Sequence, residues 1–166
     1  NQLVTEVLEL GRRDRAQPEN LRWRVFLSSF LEELALHDHS AARRVRIEEG
    51  DVELQFDRGH LYRVLSNLLA NALRHASTAD GAVRLEARAA ASANRVELHI
   101  FDDGPGVKAE LRSQVFEPFS TTHGAGTGLG LYIARELCEA SGARLELLEE
   151  DSGAHFRITA EGQVCR

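Results

Sequence analysis

Two asparagines and an arginine interrupt an otherwise apolar, helix-periodic stretch: Asn67, Asn71 and Arg74, four and three residues apart. On a helix that spacing lines them up as one polar seam, roughly a quarter to a third of a turn from the apolar stripe. Asparagine competes with a helix backbone for hydrogen bonds, so two of them here need a reason. Local hydrogen bonding on a helix surface is one reason. A metal–phosphate site is the other. Asn71 would offer a neutral hard oxygen to Mg²⁺, which keeps several waters and needs few protein ligands beside phosphates. Arg74 would supply charge to phosphate oxygens.

Two glycine-rich stretches could complete such a site. In "FDDGPGV", residues 101–107, Asp102 falls at a strand end and Gly104 and Gly106 open the turn beyond it. A tight turn accounts for the composition. So does a carboxylate with bare backbone beside it, able to accept the exocyclic amine of adenine and to reject the carbonyl that guanine presents there. In "GAGTGLGLYIA", residues 124–134, four glycines occupy seven positions and lead straight into an apolar helix. Such a turn can be a linker or a cap. It can also aim unpaired N–H groups and the positive end of the helix dipole at a phosphate.

These residues need elements to hold them. Residues 57–76 carry the strongest helical stripe, with Leu61, Val64, Leu65, Leu68, Leu69 and Ala72 at i, i+3, i+4 spacing. Trp23, Phe26, Leu27, Phe30, Leu31 and Leu34 mark a second helix. A third, over about 129–141, buries Ile133, Ala134, Leu137 and Cys138. Leu3, Val4, Val7 and Leu8 mark the end of a further helix at the start, followed by "RAQPEN", read as a linker. "RRVRIEE" and "VELQF" read as strands turning at Gly50, "AVRLEARA" and "RVELHIF" as a second pair, and "RLELLE" and "HFRIT" as a final hairpin. Residues 108–126 lack periodicity and are expected to be mobile. Strands in adjacent pairs predict a two-layer α/β sandwich, its mixed and mostly antiparallel sheet covered on one face by helices.

Composition narrows the classes. The 166 residues suit one domain with a short appendage, and the net charge of −6 argues against a nucleic-acid surface. No apolar run approaches the ~20 residues of a membrane span. Cys138 and Cys165 are too far apart for a metal knuckle and too few for a disulfide framework, and the histidines lack metal-ligand spacing. Reducing, cytoplasmic surroundings fit.

"NLLANALRHA", "DDGPGV", "VFEPFSTT" and "GTGLGL", in this order and at these separations, resemble the asparagine box, first glycine box, phenylalanine box and second glycine box of sensor histidine kinase ATP-binding domains. That fold is shared with DNA gyrase B, MutL proteins and a heat-shock chaperone. The resemblance covers residues 20–160. The leading "VLELGRRDRAQPENL" resembles the end of the second phosphoacceptor-domain helix and its linker, most like the pilus-control and nitrogen-control kinases. It implies that residues 1–19 belong to that helix and linker, and 20–166 to a catalytic domain. Asn71 would hold Mg²⁺, and Asp102 the adenine amine of ATP, with Gly104 and Gly106 by the base. Asn67, Arg74 and His75 would lie near the phosphates, with Asn67 and Arg74 as the catalytic pair. Gly126, Thr127, Gly128, Leu129 and Gly130 would wrap the triphosphate. Residues 108–125 would be an ATP lid, Thr121 and Thr122 included, packed down by Phe116 and Phe119.

The implied activity is transfer of the γ-phosphoryl of Mg·ATP to a histidine on an upstream helical hairpin. That hairpin would also make the full-length protein a homodimer, with a response regulator as the next acceptor and the inner membrane as the place of the parent protein. Two departures qualify this. His123 stands where the family's lid often has lysine. Asn67 stands where the ATP-hydrolysing relatives carry a glutamate base, and an amide cannot take a proton from water. The competing functions are a nucleotide-dependent interaction module and a gyrase-type ATPase, the latter disfavoured by Asn67. His37 is followed by Asp38, as a phosphoacceptor would be, but it ends a covering helix and is not assigned that role.

Overall fold

The computed structural model describes residues 2–11, 15–120 and 127–166. Its helices are α1 (Gln2–Leu10), α2 (Trp23–His37), α3 (His39–Arg44), α4 (Arg58–His75) and α5 (Gly130–Ala140). The strands are β1 (Glu19–Arg22), β2 (Val45–Ile47), β3 (Val52–Phe56), β4 (Val83–Ala89), β5 (Arg95–Asp102), β6 (Arg144–Leu148) and β7 (His155–Val164). They form one sheet in the order β1-β3-β7-β5-β4-β2, with β6 also on β7. All pairs are antiparallel except β2 with β4. The mixed, mostly antiparallel two-layer sandwich expected from the strand pairs is present.

The core lies between one face of this sheet and α2, α4 and α5. Val96, Leu98 and Ile100 of β5 and Phe156, Ile158 and Ala160 of β7 meet Leu61, Leu65, Leu68, Ile133 and Leu137. Every residue of the α4 stripe is buried, as are the four on α5. Cys138 is among them, and burial pushes its thiol well up from the usual value.

Three elements differ from the sequence reading, the first being α3, which holds Arg43 and Arg44 of the expected strand "RRVRIEE". "RAQPEN" is not all linker, because Glu19–Arg22 forms an edge strand on β3, with Leu21 buried. Four residues carrying one apolar side chain leave no periodicity to find, so tertiary pairing decides the strand. Likewise β2 and β3 are not a hairpin. Gly50, at φ +121, passes so close over the Ala87 carbonyl that a Cβ would lie 2.2 Å from its oxygen. The chain thus crosses from β4's edge to the far side of β7.

The polar ends of α4 are closed by side chains, one local and one distant in sequence. Asp57 accepts from the His60 N–H at 2.9 Å, capping the N-terminus. Burial works to raise its carboxyl, but the N–H groups of Gln17 and His60 outweigh that and hold it below the usual value. At the other end the Arg44 guanidinium donates to the carbonyls of Leu73, Ala76 and Ser77. Helix α1 packs against α5 with Glu6 inward, while Leu3, Val4, Val7 and Leu8 face out. No helix among the described residues is long and apolar enough to cross a membrane.

Candidate functional site

The C-terminal half of α4, the turn after β5 and the N-terminus of α5 meet at one end of the sandwich. Asp102, the last residue of β5, is only 8% exposed. Its Oδ1 accepts the N–H of Gly104 at 2.9 Å and of Ala154 at 3.2 Å. Among the described residues nothing bonds Oδ2. One carboxylate oxygen is therefore fixed by backbone, and the other is left to accept from a ligand. Beside it Gly104 presses on α4, where a Cβ would lie 2.6 Å from the His75 carbonyl oxygen. That approach is open only to glycine.

The turn is tied down by a residue not singled out from sequence. Asp103 accepts from the N–H of Ser77 at 2.7 Å and from its hydroxyl at 2.5 Å. The Ser77 hydroxyl, first among several donors, holds the Asp103 carboxyl below the usual value. With Arg44 on the preceding carbonyls, this fixes the end of α4 against the glycine turn. The only sequence signal was the doubled aspartate, which marks a turn and not its partner.

Along α4, Asn67 is half-buried and donates from Nδ2 to the Gly130 carbonyl at 3.0 Å. It joins the asparagine seam to the second glycine stretch, so in this state it positions α5. Half-buried Asn71 and exposed Arg74 have no side-chain partner among the described residues. His75, one residue on, lies against the glycine turn through its carbonyl.

Among the described residues no side chain caps the start of helix α5. Its first intrahelical bond is Ile133 N–H to the Leu129 carbonyl, so the N–H groups of Gly130, Leu131 and Tyr132 have no partner inside the helix. Thr127 Oγ1 accepts from the Leu129 N–H at 3.3 Å, shaping the approach. Gly128 has φ +74, and a Cβ there would lie 2.6 Å from the Phe119 carbonyl carbon. An uncapped helix start behind a glycine turn favours an anion.

The segment expected to be a mobile lid carries local structure over part of its length. Ala109–Gln114 forms a 3₁₀ turn. Arg112 anchors it, donating to the Val107 carbonyl at 3.3 Å and to Glu149 at 2.6 Å. Phe116 packs edge-on against Phe156, with Arg135 over its ring. Phe119 does not pack down: it is 66% exposed, with φ +61. Its close approach to Gly128 is made by backbone, which leaves the ring outside. Thr121, Thr122, His123 and Gly126 lie outside the described residues.

The family described as histidine kinase-, DNA gyrase B-, and HSP90-like ATPase matches residues 56–163, from the end of β3 almost to the end of β7. The chain belongs to this family. It is a histidine kinase ATPase domain of the sensor-kinase kind. The sensor protein kinase PilS of Pseudomonas aeruginosa is 39% identical over 164 residues, 96% of this domain and 31% of that protein. The C4-dicarboxylate transport sensor protein DctB of Rhizobium meliloti is 37% identical over 103 residues, 61% of this domain and 16% of that protein. Among solved structures, full-length ShkA in complex with AMPPNP shares 28% identity at a TM-score of 0.78, covering 99% of this domain and 36% of that chain. The domain thus spans about a third of PilS and of ShkA, and less of DctB.

Proposed function

We propose that this domain binds Mg·ATP and presents its γ-phosphoryl group to a histidine on a helical hairpin upstream in the same protein. The observation that carries this is the half-satisfied Asp102 carboxylate at the same end of the fold as the start of α5 and the side chains of Asn71 and Arg74, which have no partner among the described residues. In this reading Asp102 Oδ2 accepts the adenine amine, and Gly104 and Gly106 leave room for the base. Asn71 supplies an oxygen to Mg²⁺. Arg74, His75 and Asn67 lie by the phosphates, together with Thr127, Gly128, Leu129, Gly130 and the undescribed Thr121, Thr122 and Gly126.

Bound ATP supplies the group that moves, and the protein supplies position and charge. Phosphoryl transfer asks for little else on the nucleotide side. Asn67 cannot act as a base toward water, and its Nδ2 is committed to the Gly130 carbonyl, so the site holds ATP for transfer and not for hydrolysis. Residues 1–19 would end the phosphoacceptor helix and its linker, with the catalytic domain over 20–166. The partners would be that hairpin, a second copy joined through it, and a response regulator. The domain itself would sit in the cytoplasm, without direct contact to membrane or nucleic acid.

Transfer of labelled γ-phosphate tests this. The domain should label a separately supplied phosphoacceptor-helix dimer slowly, with acid-labile label. It should do so much faster when the two are on one chain, because tethering raises effective molarity. Rapid phosphate release without acceptor would mean an ATPase. Strong acid-labile self-labelling would restore His37 as an acceptor.

Asn71→Ala gives a second expected outcome. It should weaken Mg·ATP binding far more than metal-free nucleotide, because the base contacts remain. Calorimetry with Mg²⁺ and with EDTA reads the difference, and equal losses would make Asn71 structural.

A further inference from the structure

On the sheet face away from the helices, four side chains form a chain of hydrogen bonds that the nucleotide site does not use. Glu97 Oε2 lies 2.9 Å from His99 Nε2, His99 Nδ1 lies 2.7 Å from His155 Nε2, and His155 Nδ1 lies 2.6 Å from Glu150 Oε1. His99 is 0% exposed and His155 5%. Three contacts need three protons. Two neutral imidazoles carry one N–H each, and ionised carboxylates carry none. The chain closes only when the pair of rings holds one proton more.

The surrounding charges accommodate that proton. Arg84, Glu86 and Arg88 of β4 stand opposite Phe101, His99 and Glu97, while Arg157 of β7 stands opposite His99 and Glu146 of β6 opposite Arg157. Arg144 pairs with Glu146 at 3.3 Å and Glu48 lies 4.0 Å from Arg84, and the carboxylates that touch the rings, Glu97 and Glu150, favour the added proton.

The chain also reaches the nucleotide site through its neighbours. His155 follows Ala154, whose N–H holds Asp102 Oδ1 and whose carbonyl takes the Asp102 N–H. The His155 ring stacks at 3.9 Å on Phe101, the residue before Asp102, and Arg84 covers the other ring face at 4.5 Å. Glu150 begins the turn that ends at Ala154. Within it Gly153 lies flush against Asp102 and Gly106: a Cβ on Gly106 would meet the Gly153 carbonyl oxygen at 2.7 Å.

We propose that His99 and His155 share one proton that clamps the Glu150–Ala154 turn behind Asp102, which makes both histidines positioning residues for nucleotide binding. The inference rests on the nucleotide site proposed above. When the proton leaves, one contact must open. Glu97 keeps Arg88 at 3.5 Å and Arg157 at 3.7 Å, whereas Glu150 has His155 alone among the described residues and is partly exposed. Glu150 therefore lets go, and the turn behind Asp102 loosens.

Burial holds both rings below the ordinary histidine value, against the pull of Glu97 on His99 and of Glu150 on His155. The clamp is thus closed at acid pH and opens as pH rises toward neutrality.

Calorimetric titration with Mg²⁺ and AMPPNP between pH 5.5 and 7.5 tests the proposal on the whole domain. The unmodified domain should lose affinity by about threefold to tenfold over that range relative to His99→Gln, the worth of one hydrogen bond. In His99→Gln an amide N–H can donate to His155 Nε2 at any pH, so the added proton is not needed. Taking the ratio of the two proteins cancels the titration of the nucleotide. Parallel profiles would overturn the clamp alone, whereas no binding by either protein at any pH would overturn the nucleotide site and the clamp with it. Should the variant not fold, imidazole ¹⁵N shifts of the unmodified domain decide. One joint titration, in which His155 Nδ1 loses its proton, supports the clamp. Two independent titrations, or none between pH 5 and 8, overturn it.

Discussion

Asp102→Asn is expected to lower ATP affinity by about 10- to 150-fold, the loss of a charge-assisted hydrogen bond of about 1.5–3 kcal/mol, with the fold intact. The backbone explains why the substitution is clean. The N–H groups of Gly104 and Ala154 both donate to Oδ1, so an asparagine there must direct its carbonyl oxygen to them. Its amide nitrogen then takes the place of Oδ2, and a donor faces the donor of the adenine amine. Thermal unfolding should move little, since both backbone bonds persist. The unmodified domain should prefer ATP to GTP, and equal affinities for the two would remove Asp102 from this role.

A larger effect on the fold is expected from Gly153→Ala, with Gly142→Ala as its control. Both glycines have left-handed backbone, φ +74 and φ +70. An alanine at either pays about 1–2 kcal/mol for that conformation. At Gly142 nothing lies within 4 Å of the added Cβ. At Gly153 the Cβ would fall 1.8 Å from the Asp102 carbonyl oxygen, and backbone cannot give way there without moving the carboxylate itself. Gly142→Ala should therefore show the conformational cost alone. Gly153→Ala should cost about 3–5 kcal/mol in urea unfolding and lose nucleotide binding as well. Equal losses in the two variants would show that the close packing of the turn contributes nothing.

Much of this molecule was legible in its sequence because its elements are strongly periodic. The α4 stripe from Leu61 to Ala72 and the α5 stripe from Ile133 to Cys138 are buried as their spacing predicts. The boxes were legible too, since glycines and asparagines at unusual places carry more information than apolar residues at usual ones. What stayed hidden is what depends on partners far away in the chain. Nothing local in "ENLR" announces that it will pair with β3, and nothing at Gly50 says that β2 and β3 will part to opposite sides of β7. Arg44 on the last carbonyls of α4 and His99 against His155 are contacts across 29 and 56 residues. The family resemblance implied that Phe119 packs the lid down. Its backbone conformation, which type does not reveal, turns it out.

The placement of β7 also governs when this domain can form. Residues 155–161 pair with β5, 155–159 with β6 and 162–164 with β3, so one late strand joins every other part of the sheet. During synthesis the pairs β1 with β3 and β4 with β5 therefore emerge before the strand that joins them. Contacts of such long sequence separation are paid for in loop closure before they return anything, which makes the domain a slow folder by topology. Until residue 164 has left the ribosome the sheet stays in two parts, and a cut near Gly153 would sever the chain between those parts and the strand that joins them.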